Sequence, residues 1–223
     1  MNGFIRPVRL DDAERVASIY NRYVSKTTIT FETEPVPVEV MRGRIDSISS
    51  AFPYFVYEYD GELIGYCYAH LWKEREAYSK TLETTVYLAP EACHKGIGPL
   101  LMTHLIDECR RQGYHALIAC ITADNLSSLR FHQRLGFRQV SRFSEVGRKF
   151  GRWLDVIDLE LILWFSVGVL VHHKDILPSL FCQSENRRIA EYFCKLEKIR
   201  LFLGEIIPKG AVISENILTL ATF

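Results

Sequence analysis

Three groups of residues have types and spacings that could do chemistry. The first is the run His94-Lys95-Gly96-Ile97-Gly98-Pro99. It follows a strand-like stretch and opens a helix-like one. Two glycines let the backbone approach a ligand closely, and a helix N-terminus offers unpaired N–H groups to an anion. Lys95 adds a cation. These are the ingredients of a pyrophosphate cradle, although a plain strand-to-helix turn has the same letters. No Gly-Lys-Ser/Thr follows, so it is not a Walker loop; a third glycine is missing, so it is not a dinucleotide fingerprint. The second group is Glu83, alone in the apolar, Thr-rich stretch Thr81 to Leu88. A carboxylate desolvated there titrates above its usual range and can accept a proton, directly or through water. Strand alternation equally permits a solvent-facing glutamate. The third is His132, whose imidazole can carry a proton near neutrality or simply pack between helix and strand.

The elements that must hold these groups follow from periodicity. Phe4 to Leu10 reads as an edge strand because of Pro7. Asp11 and Glu14 have the spacing of a capping box, ahead of Val16, Ile19, Tyr20, Tyr23 and Val24 at helical intervals. Val38, Met41, Ile45 and Ile48 suggest a second helix. Tyr54 to Tyr59 and Glu62 to Trp72 flank Asp60-Gly61, a hairpin signal. Thr81 to Leu88 is a strand, and a helix runs from Leu100 to its stop at Gly113. Tyr114 to Ile121 is an apolar strand. Asn125 opens a short helix closed by Gly136, and strands over Phe137 to Phe143 and Trp153 to Leu163 complete the block.

Composition narrows the class. The chain has 223 residues, enough for one large domain or a medium domain with an added piece. Lys+Arg and Asp+Glu are 27 each, which argues against nucleic-acid binding through bulk positive charge. The six cysteines form no Cys-x-x-Cys pair and no metal spacing with histidine, so no metal site is expected. No signal-peptide pattern opens the chain, and the apolar run Leu161 to Val171 is far short of the ~20 residues of a membrane span. A cytoplasmic protein with free thiols and no membrane partner is the expectation.

Element order and glycine loop together resemble the GNAT N-acetyltransferase superfamily, whose acyl-CoA signature is Q/R-x-x-G-x-G/A. Further segments resemble its phosphinothricin and methionine-sulfone (L-amino acid) branch: Thr30-Phe31-Glu32-Thr33-Glu34-Pro35, Leu82-Glu83-Thr84-Thr85-Val86-Tyr87-Leu88, Ala123-Asp124-Asn125, His132-Gln133-Arg134-Leu135-Gly136-Phe137 and Lys149-Phe150-Gly151-Arg152-Trp153-Leu154-Asp155. The resemblance spans residues 1–163 and leaves 164–223 as a C-terminal extension of uncertain fold. It implies an α/β (α+β) fold with a mixed, mostly antiparallel sheet flanked by helices. It implies acetyl-CoA as co-substrate, a small-molecule amine as acceptor, no metal and a homodimer.

Residue roles come with it. Glu83 would be the general base and His132, as an imidazolium, the acid for the leaving thiolate. Val86, Tyr87 and Leu88 would hold the pantetheine arm along their backbone. His94, Lys95, Gly96, Ile97, Gly98 and Pro99 would hold the pyrophosphate, with Asn125 and Ser128 on the cofactor's other side. Phe31, Lys73, Arg75 and Tyr78 would bind the acceptor, unless Lys73-Glu74-Arg75-Glu76 is merely a solvated cluster. Two departures stand out: Cys93 falls where the signature has Gln or Arg, and Pro99 removes a backbone donor. They keep a noncatalytic acyl-CoA-binding scaffold in view, beside an enzyme acting on a protein N-terminus or a polyamine. In the extension, Ser184 is positioned to cap a helix. The stretch Gly204 to Leu218 resembles a fragment of the antifreeze-like module of sialic-acid synthases.

Overall fold

A computed structural model describes residues 3–163 of the chain. The expected C-terminal extension, with its Ser184-capped helix and antifreeze-like fragment, lies outside the described residues. Strands β1 (Gly3–Pro7), β2 (Tyr54–Tyr59), β3 (Glu62–Leu71), β4 (Thr81–Leu88), β5 (Ala116–Thr122), β6 (Arg138–Lys149) and β7 (Arg152–Ile162) form a sheet in the order β1-β2-β3-β4-β5-β7-β6. Every neighbouring pair is antiparallel except β4 and β5. The helices are α1 (Ala13–Lys26), α2 (Val38–Ser49), α3 (Ile97–Arg111) and α4 (Leu126–Arg134).

Alternation along the strands assigns the helices to opposite faces. Cys67 points its thiol at the Leu101 carbonyl of α3. Its neighbour Tyr66 turns the other way, into a layer of rings with Tyr54, Tyr68 and Tyr87, and Tyr87 meets Tyr20 and Tyr23 of α1. Three helices bury the stripe their spacing predicts: Val16 and Ile19 on α1, Met41 and Ile45 on α2, Leu101, Leu105 and Cys109 on α3; on α4 only His132 is buried. Asp60 and Gly61 both take positive φ, the condition of a tight two-residue hairpin turn.

Two local expectations change. The box of Asp11 and Glu14 does not form. A turn of 3-10 helix over Leu10–Asp12 shifts the start of α1 to Ala13. Asp12 then accepts from the Arg9 N–H at 2.7 Å and grips the Arg6 guanidinium through both oxygens at 2.8 Å. β6 also continues past Phe143 to Lys149, through a bulge between the Phe143–Val156 and Gly147–Leu154 pairs. Asp155 supports the bulge from β7, taking the Glu145 N–H at 3.0 Å and the Arg142 guanidinium at 2.8 Å.

That extra length of β6 pins the connection between α1 and α2. Lys149 is 3% exposed and donates to the Thr30 carbonyl at 2.7 Å. Phe31 packs against Gly147, where a Cβ would overlap the ring. Tyr20 and Thr30 share a hydroxyl hydrogen bond of 2.6 Å, and Asn21 clamps both backbone groups of Val36. Substituting Lys149→Ala leaves the Thr30 carbonyl without its charged donor. The expected cost is about 2 kcal/mol, read as a lower Tm together with faster amide exchange across residues 27–37.

Candidate active site

β4 and β5 pair at Thr81–Ala116, Leu82–Leu117 and Glu83–Ile118 and then part. Thr84 closes the fork by donating its hydroxyl to the Ile118 carbonyl at 3.2 Å. Beyond it, the β5-facing backbone of Thr85, Val86 and Tyr87 has no strand partner. The opening is a cavity of about 340 Å³. Glu83, Val86 and Tyr87 form one bank and Cys120, Thr122, Asn125, Ser128 and His132 the other, while Thr30 and Phe31 overhang it.

Three features of this gap suit a long, thin ligand with an anionic end. Buried backbone N–H and C=O groups require partners, and an extended amide-bearing arm supplies them in the manner of a strand. The Thr122 hydroxyl is buried without a hydrogen-bond partner among the described residues, and Thr122 lines the gap. Beyond the end of β4, outside the residues that line the gap, stands the N-terminus of α3, capped by Gly96 at φ 80 after His94 at φ 62. Its first-turn N–H groups at Ile97 and Gly98 are available to an anion, whereas Pro99 has none. Cys93 turns its thiol away, toward the Ala89 carbonyl at 3.7 Å and the Tyr23 hydroxyl at 3.9 Å.

At the narrow end, Glu83 faces His70 across β3. Burial pushes its carboxyl above the usual range; the charge of Asp158 adds to this, and His70 opposes it. Cys120 lines the gap beside it, its thiol pushed up to about 12 by desolvation and by the charges of Glu83 and Asp158. A thiol in that range is not a nucleophile at neutral pH.

The family profile of the Acetyltransferase (GNAT) domain matches residues 5–157. The chain belongs to the GNAT acetyltransferase family. It is 40% identical over 155 residues to a phosphinothricin N-acetyltransferase of Alcaligenes faecalis, covering 69% of this chain and 79% of that protein. It is 35% identical over 160 residues to an L-amino acid N-acyltransferase of Escherichia coli, covering 71% and 93%. A GNAT phosphinothricin acetyltransferase of Sinorhizobium meliloti, solved in complex with AcCoA, superposes with TM-score 0.71 at 32% identity, covering 75% of this chain and 92% of that one. This protein is therefore an N-acetyltransferase that uses acetyl-CoA, and the mostly antiparallel α/β architecture is that of the family.

Within the acetyltransferase, the fold gathers some expected residues and separates others. Glu83, Val86, Tyr87, Asn125, Ser128, His132 and Phe31 all line the gap. Leu88 instead packs its side chain near Gly65 and Gly98, and its carbonyl is taken by the Tyr23 hydroxyl at 2.6 Å. His94 to Pro99 form the turn into α3 and its first residues, and none of them is among the residues lining the gap. Lys73, Arg75 and Tyr78 do not line the gap; the Lys73 ammonium lies over the Trp72 ring at 3.8 Å.

His132 departs from its expected protonation. It is 4% exposed, and burial lowers its pKa despite a bond to the Ser128 backbone. A carbonyl only accepts, so the Nδ1 hydrogen is the one held on Ser128 O at 2.9 Å. Burial thus favours the neutral imidazole, with its Nδ1 hydrogen directed at the Ser128 carbonyl. Sequence reasoning missed Tyr20, Tyr68, Cys120 and Thr122, which also line the gap. The signal for Tyr68, Cys120 and Thr122 is alternation on β3 and β5, and for Tyr20 its place in the helical stripe of α1; neither has meaning for the site until the fork is known.

Among the described residues no cluster of His, Cys, Asp and Glu could hold a metal, and no helix is long and apolar enough to cross a membrane. Restoring the donor at the α3 entrance is a direct check of the cradle. Pro99→Ala adds one N–H facing a doubly charged ligand, and such a bond is worth about 1.5–3 kcal/mol. The Kd for acetyl-CoA, measured by calorimetry, is expected to fall by at least about tenfold.

Proposed function

We propose that this acetyltransferase moves the acetyl group directly from acetyl-CoA to the primary amine of a small amino acid or analogue, with Glu83 as general base. The observation that carries this reading is Glu83 at the vertex of the β4–β5 fork, where a thioester laid along β4 would end. Relatives named for phosphinothricin and for L-methionine sulfoximine and sulfone, the latter 33% identical, support that acceptor class.

Transfer runs in three movements. Glu83 takes a proton from the acceptor ammonium, which its raised affinity for protons favours. The freed amine attacks the thioester carbon, and the developing oxyanion is met by an unpaired β4 backbone N–H near Val86 or Tyr87. The C–S bond then breaks. Thiols titrate near 8.5, so the sulfur leaves as a thiolate without an obligatory acid. A neutral His132 with its N–H on Ser128 then serves to shape the gap, not to donate a proton. With its thiol protonated, Cys120 forms no acetyl-enzyme, which favours direct transfer.

Assembly and location belong to the same reading. The outer hairpin of β6 and β7 exposes Val140, Phe143, Val146, Phe150 and Trp153, an apolar edge suited to a second copy of the chain. Free thiols at Cys67, Cys93, Cys109 and Cys120 suit a reducing cytoplasm.

Kinetics and stability test Glu83 separately. With methionine sulfone or phosphinothricin as acceptor, Glu83→Gln is expected to lower kcat/KM by roughly 100- to 10,000-fold while the acetyl-CoA Kd holds. The wild-type rate should fall on the acid side at a pH above the ordinary carboxylate range. Undiminished CoA release by the variant would remove Glu83 from the mechanism. On stability the sign is opposite. The folded chain binds the Glu83 proton more tightly than the unfolded chain, so Glu83 costs stability as pH rises through its raised pKa. Glu83→Gln should therefore raise Tm near neutrality and change it little at a pH below the ordinary carboxylate range.

A further inference from the structure

Asp158 is a half-buried acid one strand away from the residues that line the gap. It stands on β7 directly opposite Cys120 of β5, so both side chains share the face that carries Glu83. Ser141 of β6 holds the carboxylate, donating to Asp158 Oδ2 at 2.9 Å. Cys120 opens into the gap. Glu83, Cys120, Asp158 and Ser141 thus form a row across four neighbouring strands, one acid at each side of an uncharged thiol.

Little in the surroundings cancels this second acid. Facing Glu83 from β3 are His70 and Tyr68, from β5 Cys120, and beyond it Asp158. Glu160 sits opposite Ile118 on β7 and is itself paired in register with Arg138 of β6. From above, Tyr20 is bonded to Thr30 and Lys149 is committed to the Thr30 carbonyl. No Lys or Arg lines the gap among the described residues.

We propose that Asp158 is a positioning residue of the acceptor site: fixed by Ser141 and set against Cys120, it draws the acceptor in as an ammonium ion and leaves Glu83 to take its proton. This rests on the reading of Glu83 as base. The balance is simple. The ammonium N–H bond breaks, the proton passes to a Glu83 oxygen, and the electron pair stays on nitrogen for attack. Asp158 exchanges no proton in the step. A second negative charge at this range strengthens the hold of Glu83 on its proton and the attraction for a cation together.

The test uses the full chain and the isosteric variant Asp158→Asn. The Glu83 carboxyl carbon is followed by NMR across pH, its signal identified by its loss in Glu83→Gln. The expected result is a Glu83 titration midpoint moved to lower pH, with a severalfold higher KM for methionine sulfone and an unchanged Kd for acetyl-CoA. A midpoint that stays put overturns the inference, and so does an unchanged KM. Ser141→Ala keeps the charge but frees it; it should move both quantities the same way by less, and it decides the matter if Asp158→Asn does not fold. Turnover retained in Glu83→Gln would overturn the base role itself, and that result is read in a different variant.

Discussion

The parting of two strands governs the rest of the molecule. β4 and β5 share three register pairs, ending at Glu83–Ile118, and no more. On either side the sheet is continuous: β3 with β4 from Gly65–Leu88 to Leu71–Leu82, and β5 with β7 from Ala116–Ile162 to Thr122–Val156. The fork therefore opens between two stiff half-sheets, not at a frayed edge. A strand edge inside a sheet is an unmet demand for hydrogen bonds. In the proposed mechanism the donor meets that demand, and Thr84 is bonded across the vertex.

Keeping such a fork open requires packing on both faces. On one face Tyr87 is wedged between Tyr20 and Tyr23, with Tyr54, Tyr66 and Tyr68 continuing the layer under α1 and α2. Burial holds these phenols far from ionisation, so the layer stays neutral around the acceptor. On the other face the first turn of α3 lies near Leu88 and Phe131 at Gly98. The overhang of Thr30 and Phe31 is held from three directions by Tyr20, Lys149 and Gly147. This wall of the gap thus depends on β6, more than one hundred residues away in sequence.

Zero net charge conceals a polarised site. Under the proposed reading the α3 N-terminus, which lies outside the residues that line the gap, is the positive end that receives the pyrophosphate, and Glu83, with Asp158 beyond Cys120, makes the vertex negative. In the proposed mechanism the donor's charged part and the acceptor's ammonium are thereby directed to opposite ends of β4. Attraction at each end is local and depends on low dielectric, which is why bulk composition does not show it.

Much of the architecture was legible in the chain. Helical stripes, the Asp-Gly hairpin turn, the apolar fifth strand and the Asn125 cap are local patterns, and each depends on residues a few positions apart. The glycine loop and the isolated Glu83 were also visible, and the ordered motifs around them pointed to the acetyltransferase family before any coordinates. The start of α1 and the length of β6 were not, because Arg6 and Asp155 act on them from other elements. Nor did spacing indicate that Lys73 and Arg75 stay outside the gap, that His132 is neutral, or that Thr122 is buried without a partner. Those properties come from how strands fork, which face of β5 meets β7, and what is taken out of water. The sequence by itself determined the elements and the family. Only the tertiary structure decided the charge states and the members of the site, because desolvation and cross-strand register exist only once the sheet has formed.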